Sequence, residues 1–315
     1  MWRSYALRIG LPQTNHRQLS ESRLLMEAAN LFWWALGEAI GRPVSKLRSA
    51  ADQPVYATIH YLEEQFPADR TLGTFGLDDR LRLFVDVRSF GTLSTESRVV
   101  FDREDRLTSA DDAWWSAEPP HPAIRFGSLF ATLESGKRLR PTRPANADLD
   151  QLSALASGDT MSRRIRDAQR TGRLGLIPED WIGLDEAPVT VGYTLDPDRD
   201  TNATGLVYFA SYIAMLECGE RAAMSRAPAD ASHSPSARQL LSRRIAYVTN
   251  AEPEDQITVA AWRFRSPAHP QQLALRYRLT RAADDSLLCL SEAILALGAP
   301  HAAHAAEHAA IGQGS

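Results

Sequence analysis

The chain has 315 residues, 44% of them hydrophobic and 23% charged, a composition that can bury a full core and that excludes general disorder. Its formal net charge of -4 gives no global electrostatic reason to bind nucleic acid or anionic lipid. The two cysteines, Cys218 and Cys289, are too few for a disulfide framework and lack metal-ligand spacing, which points to a reducing compartment.

Met1-Trp2-Arg3-Ser4-Tyr5 lacks the apolar stretch and cleavage site of a secretory signal. The longest apolar run, residues 31–36, is too short to cross a bilayer. A soluble, cytoplasmic protein with no membrane and no nucleic-acid partner is expected. Period-two alternation predicts strands at residues 4–10, 55–66, 81–90, 96–101 and 123–133. Between the first two, residues 24–36 are apolar on nearly every face, which predicts a helix enclosed by other structure, capped by Ser20 and stopped by Gly41 and Pro43. Residues 136–184 then lose the alternation, and residues 162–173 gather five arginines. A solvated linker helix and a docking surface for an anionic partner are equally good readings of that run.

The second half repeats the first. Strands are predicted at residues 188–195, 240–248, 257–264, 272–280 and 286–294, with a helix over 206–223 after the first, and residues 226–237 read as a mobile loop. Thr14-Asn15 matches Thr201-Asn202, and Asp79-Arg80-Leu81 matches Asp255-Gln256-Ile257. In the tail, His301, His304 and His308 would share a helix face, but the alanines between them favour a fraying, solvated end, and no metal site is predicted. One strand, one buried helix and four strands make a sheet wrapped around a helix. Two such units give an α+β double hot-dog, with two antiparallel sheets each wrapped around a long central helix and paired edge to edge. The expected division is a first unit over 1–136, a polar, basic linker over 137–187, a second unit over 188–298 and a flexible tail over 299–315. A homodimer of such chains is compatible with this division.

The segment from Tyr193 to Tyr212 carries Asp200-Thr201-Asn202-Ala203-Thr204-Gly205-Leu206 followed by an apolar-aromatic run. Unpaired N–H groups at a helix start can polarise a thioester carbonyl, and a glycine there lets substrate approach the backbone. The segment resembles the signature of hot-dog thioesterases of the 4-hydroxybenzoyl-CoA class, in which an acidic residue lies three positions before the glycine that opens the central helix. Here that position is Asn202, which can donate hydrogen bonds but cannot act as nucleophile or base; the plain alternative is that it only caps the helix. Asp200 could substitute as a base from two residues earlier, or could simply form a turn.

Asn202, Gly205, Leu206, Tyr208, Phe209 and Ala210, with Leu19-Ser20-Glu21 before Leu24-Leu25 and with Val55-Tyr56-Ala57-Thr58, are also similar to the leinamycin-type acyltransferase/decarboxylase family. That resemblance implies a polyketide enzyme that converts a malonyl or methylmalonyl coenzyme A thioester, its substrate, into an acyl group on the phosphopantetheine arm of an acyl carrier protein, without a further cofactor. Tyr56 matches the family's acylated tyrosine; packing on a sheet face is an equally good reading of it. A free phenol, with a pKa of about 10, is only about 0.1% ionised at neutral pH, so a base is needed, and His16, His60 and Asp200 are the candidates. Asn202 and the Gly205 backbone are expected to stabilise an enolate. Thr201 and Thr204 are candidate substrate contacts beside them, Asn15 is the counterpart of Asn202 in the first unit, and Arg163 and Arg164 are candidates for coenzyme A phosphates or the carrier's acidic face. The alternatives are a thioesterase or dehydratase acting on carrier-bound chains, and a catalytically silent acyl-binding scaffold. His121 before Pro122 reads as a turn histidine, and neither G-x-S-x-G nor a glycine-rich phosphate loop is present.

Overall fold

The computed structural model describes residues 1–15, 18–134, 138–155, 161–226 and 238–298. His16, the loop over 227–237 and the tail histidines lie outside the described residues.

In chain order the elements are β1 (Arg3–Arg8), α1 (Glu21–Ala39), β2 (Tyr56–Gln65), β3 (Arg80–Phe90), β4 (Ser94–Arg103) and β5 (Ala123–Leu133); then β6 (Leu139–Pro141), α2 (Met161–Thr171) and β7 (Ile182–Gly183); then β8 (Val189–Thr194), α3 (Pro197–Asp200), α4 (Tyr212–Ser225), β9 (Arg238–Tyr247), β10 (Gln256–Arg265), β11 (Gln272–Arg281) and β12 (Leu287–Leu297). Hydrogen-bonded neighbours run β1-β3-β4-β5-β2-β9-β12-β11-β10, with β7 and β8 beside β10 and β6 beside β5. Read from its outer edge, the first half is ordered β1-β3-β4-β5-β2 and the second β8-β10-β11-β12-β9, the same topology twice. The two sheets pair edge to edge as expected, and so closely that they form one continuous sheet. β2 and β9 pair antiparallel from Tyr61 opposite Ala246 to Gln65 opposite Ser242, because each half would otherwise leave an open edge of backbone donors and acceptors.

α1 buries Leu24, Leu25, Ala28, Phe32, Ala35 and Leu36 in the main core. It is not enclosed on every side as its composition predicts: Trp34 is 61% exposed. Ser20 is the capping residue, although its hydroxyl pairs with Ser22 Oγ at 3.2 Å rather than with the helix backbone. α4 lies so close to β10 that a Cβ on Gly219 would meet Val259 Cγ1 at 2.7 Å, so at this point the absence of a side chain sets the helix–sheet spacing.

Where the halves meet, Arg243 of β9, 2% exposed, pairs with Glu21 of α1 at 2.6 Å and lies 3.9 Å from Glu64 of β2 and 4.0 Å from Glu220 of α4. Glu220 also pairs with Arg238 and accepts from the Tyr277 hydroxyl at 3.2 Å. Burial and the neighbouring Glu21 charge push the Glu64 carboxyl well above its usual range, against the pull of Arg243, so Glu64 tends to hold its proton. On the opposite face, Ile165 and Ala168 of α2 pack with Tyr61, Ala246 and Leu290, covering the seam between β2 and β9.

Candidate functional site

A cavity of about 1630 Å³ lies where the two halves diverge. β2 pairs with β5 along its whole length, but with β9 only from Tyr61 onward. Over residues 56–60 its other edge is therefore unpaired with β9, and Tyr56 through His60 all line the cavity. The C-terminal turns of α1, with Trp33, Trp34 and Gly37, line it too, as do Tyr208, Phe209 and Tyr212 around the start of α4. Trp33 Nε1 donates to the Ala57 carbonyl at 3.2 Å, tying α1 to the open stretch of β2.

Tyr56 and Asn202, far apart in sequence, both line this one cavity, and so does Thr204. Asn202 follows a bridge between Thr201 and Val207. Its Oδ1 accepts from Thr204 N at 2.9 Å, Thr204 Oγ1 at 2.6 Å and Leu206 N at 3.2 Å. These donors fix which end of the amide is oxygen and leave Nδ2 as the end able to donate to a ligand. The Gly205 N–H donates to the Asn202 carbonyl at 2.8 Å, and Gly205 has φ +72°. The expectations for this segment need correction. Gly205 closes a tight turn and does not open the helix, its N–H is engaged within that turn, and the helical segment begins with a 3-10 turn at Phe209–Ser211 that runs into α4. The positive φ, which only glycine adopts readily, is the reason.

The other candidates sit elsewhere. Asp200 is 1% exposed and does not line the cavity. It accepts from Arg199 at 2.8 Å, from the Tyr193 hydroxyl at 3.2 Å and from the Asp196 amide at 3.0 Å. Burial raises its carboxyl, but the Arg199 and Asp196 hydrogen bonds outweigh it and hold it below the usual range. It is thus a structural carboxylate and no partner for Tyr56. Thr201 donates to the Pro197 carbonyl at 2.5 Å. Asn15 follows a Thr14–Leu19 bridge and accepts from Gln18 N at 2.9 Å through Oδ1, repeating the Asn202 arrangement away from the cavity. Arg164 donates to Glu63 at 3.3 Å, and Arg163 lies 3.9 Å from Asp167, on the helix that covers the seam. The arginines of the cavity are others: Arg42 and Arg138, both exposed, with Arg48 and Arg281, both half-buried. Sequence reading missed them because they are isolated in the chain and only folding gathers them. His121 Nδ1 lies 2.9 Å from Asp102 and 3.1 Å from Arg70, remote from the cavity lining.

The walls are poor in charge. Burial, with Glu27 nearby, pushes the Tyr208 phenol up to about 12. Burial also raises Tyr212 and Tyr247. The carboxylates among the lining residues are Glu38 and Glu252, both exposed, and Glu38 accepts from Arg3 at 2.7 Å. Such an arrangement can enclose an apolar chain, donate from neutral phenols and an amide, and meet an anionic group with guanidinium. Among the described residues no group of His, Cys, Asp and Glu is placed to hold a metal ion, and no helix is long and apolar enough to cross a membrane.

Neither a family model nor a curated protein matches the sequence. The fold does find relatives. The chain is similar to an acyl-ACP thioesterase from Bacteroides thetaiotaomicron, with TM-score 0.59 and 11% identity over 93% of this chain and 97% of that one. It is similar to a 12:0-ACP thioesterase from Umbellularia californica, with TM-score 0.63 and 9% identity over 94% of each. Agreement along nearly the full length of both, with the duplicated strand order, shows a double hot-dog fold.

Proposed function

We propose that this protein binds an acyl thioester, carried by coenzyme A or by the phosphopantetheine arm of an acyl carrier protein, and cleaves it in the cavity between its two halves. The observation that carries the reading is the cavity itself. At about 1630 Å³ it exceeds the usual range for a small-molecule site, which is roughly 300–1,000 Å³, and it has room for an acyl chain together with a pantetheine arm. It is bordered by the 3-10 turn Phe209–Ser211 that leads into α4, and the N–H groups at the start of a helical segment can polarise a carbonyl. Two full-length fold neighbours are named acyl-ACP thioesterases, which supports thioester cleavage over the other chemistries of the fold.

A second reading is acyl transfer with decarboxylation, as the resemblance to the leinamycin-type family implies. One observation favours it: Tyr56 shares the cavity with Asn202, an amide and not an acid. In that reading Tyr56 takes the acyl group and the Asn202 amide donates to the enolate oxygen. Incubating the protein with a panel of acyl-CoA thioesters, methylmalonyl-CoA included, with and without a carrier protein separates the readings. Free acid and free thiol are expected for cleavage, carbon dioxide with an acylated carrier for transfer, and no turnover of any thioester refutes both. Asn202→Asp keeps an acceptor for the 202–206 turn and removes the donor. In the transfer reading it is expected to lower kcat by roughly two orders of magnitude with little change in thermal stability.

A further inference from the structure

Within that reading of the cavity, we propose that His60 is the general base of the reaction, taking the proton of the attacking nucleophile at the thioester carbon. The first observation is a break in the β2 ladder. Ile59 pairs with Ser128 and Tyr61 with Gly127, so His60 is the residue skipped, an extra residue on β2 at a bulge. The bulge also changes which face the alternation presents: Ala57 joins the main core before it, whereas after it Leu62 does so and Tyr61 turns to the opposite face under α2. Bulges re-aim a side chain at a local cost in ladder hydrogen bonds and are concentrated beside active sites.

The second observation is position. His60 immediately precedes the first β2–β9 pair, Tyr61 with Ala246, and so stands at the fork where the strands part, across from Tyr247. The Tyr247 hydroxyl donates to the Phe209 carbonyl at 3.1 Å, and its ring packs on Tyr212 at 5.2 Å. The imidazole and the start of the α4 helical segment therefore flank the same end of the cavity. Tyr56, four residues away along the strand, is about 13 Å distant between Cα atoms at ~3.3 Å per residue. His60 thus serves the carbonyl at the helix start rather than the Tyr56 phenol.

The third observation is exposure. His60 lines the cavity and is half-buried, while its Nδ1 is shut off from solvent, so the ring meets the cavity by its other edge. Burial pushes the imidazole down to about 4, against a hydrogen bond between the ring and the Thr58 backbone, so the ring is neutral at neutral pH. Among the described residues that line the cavity it is the one imidazole, and the lining carboxylates are exposed.

In hydrolysis the step balances without a further reactant. Water oxygen bonds to the thioester carbon as the imidazole, through the ring edge that meets the cavity, takes one of its protons; the intermediate collapses with cleavage of the carbon–sulfur bond; the imidazolium returns the proton to the departing thiolate. The products are a carboxylic acid and a free thiol.

The test is steady-state kinetics of His60→Ala and His60→Gln on the thioester that the parent protein turns over best, with melting curves to confirm folding. Expected are a loss of kcat of about 10²- to 10³-fold, KM within about threefold of the parent, and partial recovery of the His60→Ala rate with added imidazole, which the gap left by the side chain can admit. A kcat within about threefold of the parent in a folded variant, or a loss confined to KM, overturns the role of His60 and leaves the thioester reading standing. Parent protein that turns over no thioester overturns both. Should His60→Ala fail to fold, His60→Gln, which preserves much of the volume, carries the same kinetic criterion.

Discussion

Replacing Arg243 with Met tests how the two halves are held together. Arg243 pairs with Glu21 at 2.6 Å and donates a second bond to it at 3.2 Å, with both side chains almost wholly buried, 2% and 7% exposed. Removing one member of a buried pair typically costs about 3–5 kcal/mol, because the other charge is left without compensation. The low end applies here. Glu220 retains Arg238, and Glu64, whose carboxyl is raised well above its usual range, is not the charge left exposed to the loss. The cost falls on Glu21, so a destabilisation of about 3 kcal/mol is expected, which for a chain of 315 residues lowers Tm by roughly 4–5 °C. Melting curves followed by circular dichroism at neutral pH measure it. The double variant Glu21→Gln/Arg243→Met removes the orphaned charge along with its partner and should recover more than half of the loss. A single variant within about 1 kcal/mol of the parent, or a double variant no better than the single, would refute the assignment of the cost to an uncompensated Glu21.

Three further outcomes follow from the same structure. Because the Glu64 carboxyl is raised in the folded protein, its protonated form contributes stability that is fully present below the unfolded value near 4.5 and is lost as pH rises through the native one; Glu64→Gln should therefore raise Tm increasingly between pH 5 and pH 8, and equal shifts at both ends would contradict this. Gly219→Ala should destabilise by about 1–3 kcal/mol through its 2.7 Å approach to Val259, and Val259→Ala in the same chain should return part of that, read from denaturant midpoints. If Arg42 and Arg138 receive the phosphates of the thioester carrier, Arg42→Ala/Arg138→Ala should raise KM for coenzyme A thioesters by roughly tenfold, the more so at low salt. N-acetylcysteamine thioesters, which carry no phosphate, should show no such rise, and an equal rise for both would place the arginines elsewhere in recognition.

The duplicated order of elements was legible in the chain because hydrophobic alternation and the apolar stretch over 24–36 report local burial, and local burial fixes where strands and helices lie. The predicted strands all exist with boundaries shifted by a few residues, and the Thr-Asn pairs singled out as a repeat occupy the same bridged turns at 14–19 and 201–207. Tyr56 and Asn202 could be picked out by residue type and motif. That they share one cavity could not, since it depends on β2 and β9 diverging after five paired residues.

Other features lay partly beyond a linear reading. Edge-to-edge pairing of the sheets was expected, but alternation does not say which strands meet, so the β2–β9 seam was decided by tertiary pairing. The Asp200 side chain looked available until folding surrounded it with Arg199, Tyr193 and the Asp196 amide. Gly205 looked like a helix opener because a glycine after an asparagine fits either a turn or a helix start, and the backbone torsion that separates the two belongs to the folded chain. His60 could be picked out in the chain as one of three candidate bases, but its bulge could not, since a bulge exists only relative to the strand it fails to match. What the sequence determined alone is which residues are buried and in what order; which of them face each other, and hence the site, was decided by pairings between positions nearly two hundred residues apart.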